Sequence, residues 1–497
     1  MWVFSTAGCR WLGAAGALAV TLGGWAAGAL PVRGGAGLWE RHGGAVTTAG
    51  TLLGYLGLTL LVLAWWQYGR GLRAGARDRV GVTLACWAAP LLVAPPLHSA
   101  DVYSYLAQGA MVLEGHDVYG AGPSVLRPGE LGFDAAASVG GHWTDTPAPY
   151  GPFFLVLAQA VVKLTGGAVL PGVLGMRLIA LLALLLIVRA VRGLAPERHR
   201  EGAVWLAALN PLLLLHVLGG LHNDGLMAGL LLAGLLCAVR ARRWAVGGVL
   251  AGALIGLAAT IKSPAALGLL FAGIVLARRR GPAAGLLPGA VAVGVAAGAS
   301  VLAGTGFGWL RTQSVAGTIH TALSLTSDLG LGLGLLVSGE PEPVKGAVQK
   351  LGLLAAGAVV AAVAWRAWKG RLDPVLGLGV SLLALVALSP MVQPWYVLWG
   401  TCAVAAVAWN GRLGQLLAVV CAGLAYETAP SGHTPWYGFL AGGAVVAAGL
   451  WWSRREPWRA DAPEHGTGDP VVLPAQTAGD RDQDRSARLA GRGPGAD

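Results

Sequence analysis

Residues 80–120 read VGVTLACWAAPLLVAPPLHSADVYSYLAQGAMVLEGHDVYG, and this stretch decides the class of the protein. Its first part, residues 80–97, carries no charge and is long enough to cross a bilayer as a helix. A polar segment follows at once and contains Asp101, Tyr103 and Tyr105. Because an ionisable group at membrane depth is costly, such a residue tends to mark a functional site.

The composition of the whole chain indicates a membrane protein. The 497 residues are 55% hydrophobic and 12% charged, with a mean hydropathy of +0.63. Soluble domains average about 25% charged residues. The net charge of +11 comes from arginine clusters between apolar runs, which is typical of orientation signals and not of a nucleic-acid partner. The five cysteines lie in or beside apolar runs without a CxxC pair, so we expect neither a disulfide framework nor a metal cluster.

Apolar segments of about 17 to 25 residues, or slightly shorter inside a bundle, predict the membrane helices. They predict an all-α, polytopic transmembrane bundle of about fourteen spans. Gly and Ala fill many of these segments, which indicates close helix packing in lipid. The spans are predicted near residues 11–30, 48–68, 80–97, 172–191, 202–219, 225–240, 244–260, 264–277, 281–303, 346–366, 373–390, 394–409, 412–427 and 435–452.

Basic residues predict the orientation, because short cytoplasmic loops collect Lys and Arg. Arginine clusters recur in alternate loops, which places both termini in the cytoplasm. The apolar runs 152–167 and 321–337 would invert every later loop if either spanned, so we expect juxtamembrane or re-entrant helices there, on the outer side. Residues 98–150 are predicted on the outer face, because they carry Arg127 against a set of acidic residues: Asp101, Glu114, Asp117, Glu130, Asp134 and Asp145.

The predicted domain organisation is one transmembrane domain followed by a tail. Residues 1–455 form the transmembrane domain, with residues 98–171 as a long outer loop. Residues 456–497 are rich in Arg, Asp, Gly and Pro, which predicts a disordered cytoplasmic tail. The chain contains no Walker loop, no GxGxxG after a strand and no HExxH, so ATP-driven transport and dinucleotide chemistry are disfavoured.

Further ionisable residues stand at the outer ends of the predicted spans. His222 and Asp224 lie in GGLHNDGLM (219–227), and Lys262 lies in ATIKSPAAL (259–267). A lysine at a tight turn on the outer side is a candidate to bind a lipid phosphate through its ammonium group. Arg177 and Arg311 are candidates for the same role.

Each candidate also has an ordinary structural interpretation. Asp101 and Asp224 are consistent with N-caps of the helices that follow them. His222 is consistent with an interfacial histidine, and Lys262 with a side chain that snorkels to the membrane surface. The aromatic stretch SPMVQPWYVLW (389–399) fits an interfacial belt better than a binding surface. The residues alone leave these alternatives open.

Five segments together resemble a known family: HSADVYSYLAQGAMVLEGHDVYG, PYGPFFLVLAQAVVKLTGG, LHNDGLMAGLLLAGLL, TIKSPAAL and SPMVQPWYVLW. Over roughly residues 80–440 they look like the actinobacterial polyprenyl-phosphomannose-dependent α-1,6-mannosyltransferases, members of the GT-C superfamily of integral-membrane glycosyltransferases. The resemblance implies a GT-C-like fold, a polyprenyl-phosphomannose donor and a lipid-anchored mannan acceptor outside the membrane. It also implies that Asp101 is the catalytic base, and Asp224 fits a second outer-loop acid of the superfamily only loosely. Tyr103, Tyr105, His222 and Asp224 are candidates for substrate binding.

That chemistry needs one carboxylate. A sugar phosphodiester leaves as a phosphate, without the acid partner that glycosidases use, so a single base serves an inverting displacement. Lys262 and Arg311 are expected to bind the departing phosphate. Asp101 is followed by Val102, where many members of the superfamily have a second acid, and we expect neither a metal nor another cofactor.

A transporter or flippase for a lipid-linked sugar is the alternative from another class. A GT-C enzyme with another sugar or acceptor is the alternative within the class. A flippase would require charges along a transverse cavity, whereas the candidate residues cluster near one face. We therefore predict an inverting mannosyltransferase of the plasma membrane, with its active site on the extracytoplasmic side and membrane lipids around it.

Overall fold

The computed structural model describes residues 5–337 and 339–455, and within these ranges the chain is helical and contains no β-strand. The predicted all-α class is confirmed. The predicted tail, residues 456–497, lies outside the described residues. The helices are α1 (Thr6–Ala27), α2 (Gly44–Arg73), α3 (Val80–Leu91), α4 (Asp101–Leu113), α5 (Phe133–Ala136), α6 (Pro152–Thr165), α7 (Val169–Leu194), α8 (Arg200–Ala207), α9 (Pro211–Leu213), α10 (Asp224–Arg240), α11 (Trp244–Ala259), α12 (Leu267–Arg280), α13 (Pro282–Ala303), α14 (Leu325–Val337), α15 (Pro341–Trp368), α16 (Pro374–Ala387), α17 (Val397–Ala408), α18 (Arg412–Leu424) and α19 (Trp436–Arg455).

Each predicted span contains helix, but the helices differ in length. In the described part of the chain, α2, α7, α13 and α15 are the 4 helices that are long and apolar enough to cross a membrane. The bent pair formed by residues 197–207 and 211–219 adds a fifth if it is one span. The apolar runs 152–167 and 321–337 form α6 and α14, of 14 and 13 residues. The number of spans and the orientation of the termini stay predictions.

The helix of the opening stretch ends earlier than the apolar run does. Pro90 lies in the last turn of α3, and the chain then continues without regular structure to Ala100. Proline favours such an end because it lacks a backbone donor and collides with the preceding turn. The carbonyl groups that follow α3 have no partner within the helix. The buried guanidinium of Arg177 in α7 donates to three of them, the backbone oxygens of Leu92, Ala94 and Pro95.

A second break separates α8 from α9, where the two segments meet at 52°. Asn210 occupies the break: its side-chain oxygen accepts the Leu212 N–H at 3.0 Å, and its amide donates to the Leu206 carbonyl at 3.1 Å. A π-helix over Leu214–Gly219 then leads to Leu221, whose φ of 61° is left-handed. Both features are uncommon and concentrate at functional sites.

The segment predicted as the outer loop, residues 98–171, folds around α4, α5 and α6. A Cβ added at Gly109 of α4 would come within 2.6 Å of the carbonyl carbon of Ala158 in α6. A Cβ added at Gly151, just before α6, would come within 2.4 Å of the Thr260 carbonyl oxygen. These close approaches fix α4 against α6 and place the start of α6 beside the turn that follows α11.

α1 and α2 also pack backbone against backbone. A Cβ at Gly57 of α2 would come within 2.6 Å of the Gly16 carbonyl oxygen, and a Cβ at Gly16 would come within 2.7 Å of the Gly57 oxygen. Farther along α1, a Cβ added at Gly23 would come within 2.5 Å of the Gly50 carbonyl oxygen. Small residues let helix backbones approach in lipid, so the close packing predicted from the Gly and Ala content is confirmed here.

Replacing Gly57 by alanine should lower the melting temperature, because the methyl group forces α1 and α2 apart at a cost of about 1–3 kcal/mol. The matched control is Gly294→Ala in α13, where an added Cβ meets nothing within 4 Å. That control should be neutral or stabilising by up to about 1 kcal/mol, because alanine is the better helix former. Thermal unfolding of the purified variants in detergent measures both effects, and equal melting temperatures would contradict the packing described above.

Candidate active site

The irregular segments before α4 and before α10 contact each other, and each contains a residue with unusual backbone geometry. His98 and Leu221 have left-handed φ values of 58° and 61°. Such backbone in a residue with a side chain costs about 1–3 kcal/mol and persists only where the surrounding structure imposes it. The two turns are tied together, since the Leu97 N–H donates to the Gly219 carbonyl at 3.1 Å.

Asp101 is the first residue of α4 and faces a histidine from the second turn. Ala100 is the N-cap of α4, and the Ser99 hydroxyl accepts the Asp101 N–H at 3.0 Å. The Asp101 carboxylate is 27% exposed, and its Oδ2 lies 3.4 Å from His222 Nδ1. Burial by itself would raise the pKa of the Asp101 carboxyl, but His222, Lys262 and Ser99 outweigh burial and hold that pKa below its usual range. Asp101 is therefore ionised at neutral pH.

His222 is buried beneath Asp101 and packs against an indole. The His222 and Trp395 rings are stacked, with centroids 3.6 Å apart and 21° between their planes. The ring of His216 lies 5.6 Å from His222 and 4.9 Å from Trp395, and His98 lies 5.7 Å from His216. Three histidines and one tryptophan thus form a cluster of rings, and His222 connects this cluster to the Asp101 carboxylate.

Asp224 is the first residue of α10 and is also buried. Its Oδ1 and Oδ2 accept hydrogen bonds from the Lys262 ammonium at 2.8 and 2.9 Å. The Trp395 indole N–H donates to Oδ2 at 3.1 Å, and the Trp399 indole N–H donates to Oδ1 at 2.8 Å. The N-cap of this helix is Asn223 and not Asp224. Hydrogen bonds to a charged group are the strong kind, and here they replace the water that burial removes.

Lys262 lies in the turn between α11 and α12, among aromatic rings. Its Nζ is 4.5 Å from the centroid of Tyr396, 5.6 Å from Trp399 and 6.0 Å from Tyr150. Ring faces attract cations, most strongly away from water. Burial by itself would lower the pKa of the Lys262 ammonium, but the Asp224 carboxylate outweighs burial and raises that pKa above its usual range. Lys262 is therefore positively charged at neutral pH.

A cavity of about 690 Å³ opens beside these residues, within the size range of ligand sites. Its polar lining includes Asp101, Tyr150, Lys262 and Gln313. Its apolar lining comes from α12, α15 and α16: Leu267, Leu270, Leu353, Val360 and Leu385. The cavity can accommodate a molecule that has a polar, anionic part and a hydrocarbon part.

Four of the residues predicted from the sequence meet here: Asp101, His222, Asp224 and Lys262. Tyr105 lies next to them, because its buried ring packs edge-on against Tyr150 at a centroid distance of 5.2 Å.

Of the other three predicted site residues, two bind backbone carbonyl groups away from this cluster and one lies beside the cavity. The Tyr103 hydroxyl donates to the Ala29 carbonyl at 2.6 Å, beyond the end of α1. The guanidinium of Arg177 is bound to the carbonyl groups that follow α3. Arg311 is exposed, one residue before Thr312, which lines the cavity.

The aromatic residues of the site were not predicted as site residues from the sequence. They are Tyr150, Trp395, Tyr396 and Trp399. The segment SPMVQPWYVLW fitted an interfacial belt, which has the same composition. The spacing held a further signal, because residues four apart at the start of a helix lie on one face. Trp395 and Trp399 have this spacing, and both donate to Asp224.

The acidic groups of the site have basic partners: Asp101 lies beside His222, and Asp224 pairs with Lys262. Across residues 5–337 and 339–455, no group of three His, Cys, Asp or Glu side chains is placed to bind a metal ion.

Comparison with known proteins gives matches along most of the chain. Residues 10–278 match the model of the alpha-(1->6)-mannopyranosyltransferase N-terminal domain, and residues 320–455 match the MptB C-terminal domain. A probable alpha-(1->6)-mannopyranosyltransferase of Mycolicibacterium smegmatis is 35% identical, over 78% of this chain and 77% of the relative. Alpha-(1->6)-mannopyranosyltransferase B of Corynebacterium glutamicum is 32% identical, over 78% and 71%.

A third relative, alpha-(1->6)-mannopyranosyltransferase A of Mycobacterium tuberculosis, is 34% identical over 78% of each chain. The resemblance stated from the five sequence segments is confirmed by these matches. The chain therefore belongs to the α-(1→6)-mannopyranosyltransferase family of glycosyltransferases.

Proposed function

We propose that this protein transfers mannose from polyprenyl-phosphomannose to a growing, lipid-anchored α-1,6-mannan on the outer face of the plasma membrane. One observation carries the proposal: the Asp101 carboxylate and the Lys262 ammonium share a cavity with apolar side chains from three helices. A lipid-linked sugar phosphate has the matching chemistry, because it combines a reactive sugar carbon, an anionic phosphate and a hydrocarbon chain.

In the transfer step, Asp101 accepts the proton of the acceptor hydroxyl while the hydroxyl oxygen bonds to C1 of mannose. The bond between C1 and the phosphate oxygen breaks on the opposite side, and its electron pair leaves with the polyprenyl phosphate. The configuration at C1 is inverted. The phosphate leaves without a proton from an acid partner, so one carboxylate is sufficient. Asp101 then releases its proton to solvent before the next turnover.

Lys262 is the group that we assign to the departing phosphate. An ammonium has three N–H donors, and two of the contacts made by Lys262 go to the Asp224 oxygens. Lys262 also lines the cavity, so its charge would face a phosphate bound there. A positive charge already in place where negative charge develops stabilises the transition state. Arg311, beside the cavity-lining Thr312, is a second candidate for the same phosphate.

The apolar lining accounts for the lipid part of the donor. Side chains of α12, α15 and α16 line the same cavity as Asp101, so a chain bound among them would bring its phosphate to the polar residues. Both substrates would approach in the membrane plane, and this anchoring would supply part of the orientation that the reaction needs. The outer-face location rests on the arginine pattern and on the acidic residues within 98–150.

A transporter or flippase for a lipid-linked sugar moves its substrate between two sealed compartments and has no measurable activity in detergent. A glycosyltransferase turns over in detergent, so the two functions can be distinguished there. Purified protein in detergent, with labelled lipid-phosphate mannose and a short α-1,6-mannan acceptor, should form a longer mannan that thin-layer chromatography separates. Donors that carry other sugars and acceptors of other kinds, run in parallel, test the specificity. If no donor gives a product, the transporter is favoured.

Substitution of Asp101 by asparagine should reduce the transfer rate by about 10²–10⁴-fold, because asparagine keeps the size but cannot accept the proton. Donor affinity and folding should be preserved. The wild-type rate should fall only when the pH drops below the usual range of an aspartate, because the pKa of Asp101 is held low. Turnover, its pH dependence and the melting temperature are measured side by side for Asp101→Asn and Asp101→Ala.

The structure places Ala100, and not Asp101, at the N-cap of α4. A purely structural role of Asp101 in the first turn predicts the opposite pattern, because asparagine keeps the size and polarity of the side chain and alanine does not. Normal turnover in the asparagine variant, together with a stability loss confined to the alanine variant, would therefore refute the catalytic assignment.

Lys262→Met should lower transfer about tenfold to hundredfold, because a charge-assisted hydrogen bond contributes about 1.5–3 kcal/mol. Lys163→Met on the exposed side of α6 is the matched control and should leave the kinetics unchanged. Lys262→Arg keeps the charge opposite Asp224 and should recover part of the rate. The kinetics are compared at a temperature below the melting transition of every variant, because Lys262→Met leaves the buried Asp224 charge unpaired. If folded Lys262→Met has unchanged donor kinetics, Lys262 acts only as the structural partner of Asp224 and does not bind the phosphate.

Gly357→Phe in α15 should raise the KM for a long-chain donor about tenfold, because the ring displaces lipid from the cavity that Gly357 lines. That factor corresponds to about two buried CH₂ groups. A short-chain donor should be affected less. Gly346→Phe is the matched control, since an added Cβ meets nothing within 4 Å at either position of the same helix. The same donor KM in the two variants would exclude α15 from lipid binding.

A further inference from the structure

The Asp224 carboxylate has no free capacity for a substrate. Its two oxygens accept four hydrogen bonds, two from Lys262 and one each from Trp395 and Trp399, at 2.8–3.1 Å. A carboxylate has about four acceptor sites, so this one is saturated. Asp224 is also only 3% exposed. It is therefore badly placed to take a proton or a sugar hydroxyl, although the sequence presents it as a second acid of the site.

We propose that Asp224 is a positioning residue that orients both groups of the reaction, the Asp101 base through Trp395 and the phosphate-binding Lys262 directly and through Trp399. This inference rests on the proposed function, and it replaces substrate contact by Asp224 with a role inside the protein.

The first branch runs from Asp224 Oδ2 to Asp101. The Trp395 N–H donates to Oδ2, and the face of the same indole stacks on His222 at 3.6 Å. His222 Nδ1 then lies 3.4 Å from Asp101 Oδ2. Within the described residues neither ring nitrogen of His222 has a hydrogen-bond partner of normal length, so the stacked indole sets the orientation of the imidazole.

The second branch runs from Asp224 Oδ1 to Lys262. The Trp399 N–H donates to Oδ1, and its ring stacks on Tyr396 with centroids 4.3 Å apart. The Tyr396 ring lies 4.5 Å from Lys262 Nζ, which itself contacts both Asp224 oxygens. Lys262 contacts both oxygens, but the two indole N–H groups bind different oxygens of the carboxylate, so the two branches can be perturbed separately.

Substitution of tryptophan by phenylalanine separates the branches, because phenylalanine keeps an aromatic ring but has no N–H. Trp395→Phe should move the acidic limb of the pH profile of kcat/KM up by about one pH unit, since a displaced His222 no longer stabilises the Asp101 carboxylate. Its donor KM should change less than that of the Trp399 variant, although both indoles line the cavity. Trp399→Phe should raise the donor KM about three- to tenfold, the effect of one lost hydrogen bond, and leave the acidic limb in place.

Asp224→Asn should show both changes at once, because it loses one acceptor oxygen and turns an amide toward the Lys262 ammonium. Trp87→Phe is the matched control: Trp87 is a buried tryptophan of α3 whose N–H donates to the Arg10 carbonyl at 2.9 Å, away from the site. It should lower the melting temperature and change neither readout. The groups that also titrate or carry charge around Asp101 and His222 are the same in every variant: His98, Tyr105, Tyr150, His216, Lys262 and Tyr396.

The outcomes separate the two proposals. If Asp101→Asn in the same assay is inactive and both site tryptophan variants behave like Trp87→Phe, the positioning role is wrong and the proposed function stands. The positioning role is also wrong if Asp224→Asn is as inactive as Asp101→Asn while both tryptophan variants are normal, because Asp224 would then act on the substrate. If Asp101→Asn is fully active, the proposed function fails and this inference fails with it.

Discussion

The buried ion pair between Asp224 and Lys262 is the interaction on which this site depends. Two charges removed from water are tolerated only when hydrogen bonds satisfy what the pair leaves open, and the indoles of Trp395 and Trp399 do so. Three segments far apart in sequence must therefore stay in contact: the start of α10, the turn after α11 and the start of α17. Asp101, on a fourth segment, joins them through His222.

The breaks in the helices make that meeting possible. Irregular backbone at membrane depth requires partners within the protein, because lipid offers none. Arg177 supplies donors after α3, and Asn210 supplies both a donor and an acceptor between α8 and α9. Polar side chains within the predicted spans and at their outer ends thus have two uses. Some support the broken backbone, and others line the cavity, and residue type does not distinguish the two.

That ambiguity explains which site residues the sequence could identify. Asp101, His222, Asp224 and Lys262 stood out because ionisable groups beside apolar runs are costly and seldom without use. Arg177 and Tyr103 stood out on the same basis, yet they bind backbone carbonyl groups. Trp395 and Trp399 were interpreted as part of an aromatic belt at the membrane interface. An indole at the lipid surface and an indole bonded to a buried carboxylate have the same local sequence, so the sequence does not distinguish them.

The sequence by itself determined the all-α class, the helical nature of every long apolar run and the family, because hydrophobic length and local motifs are properties of neighbouring residues. Only the tertiary structure decided that Asp224 pairs with Lys262 and that Trp395 connects Asp224 to His222 and Asp101. The contacts of Asp224 with Lys262 and Trp395 join residues 38 and 171 positions apart. Their geometry follows from how the broken helices pack, which no single stretch of the chain encodes.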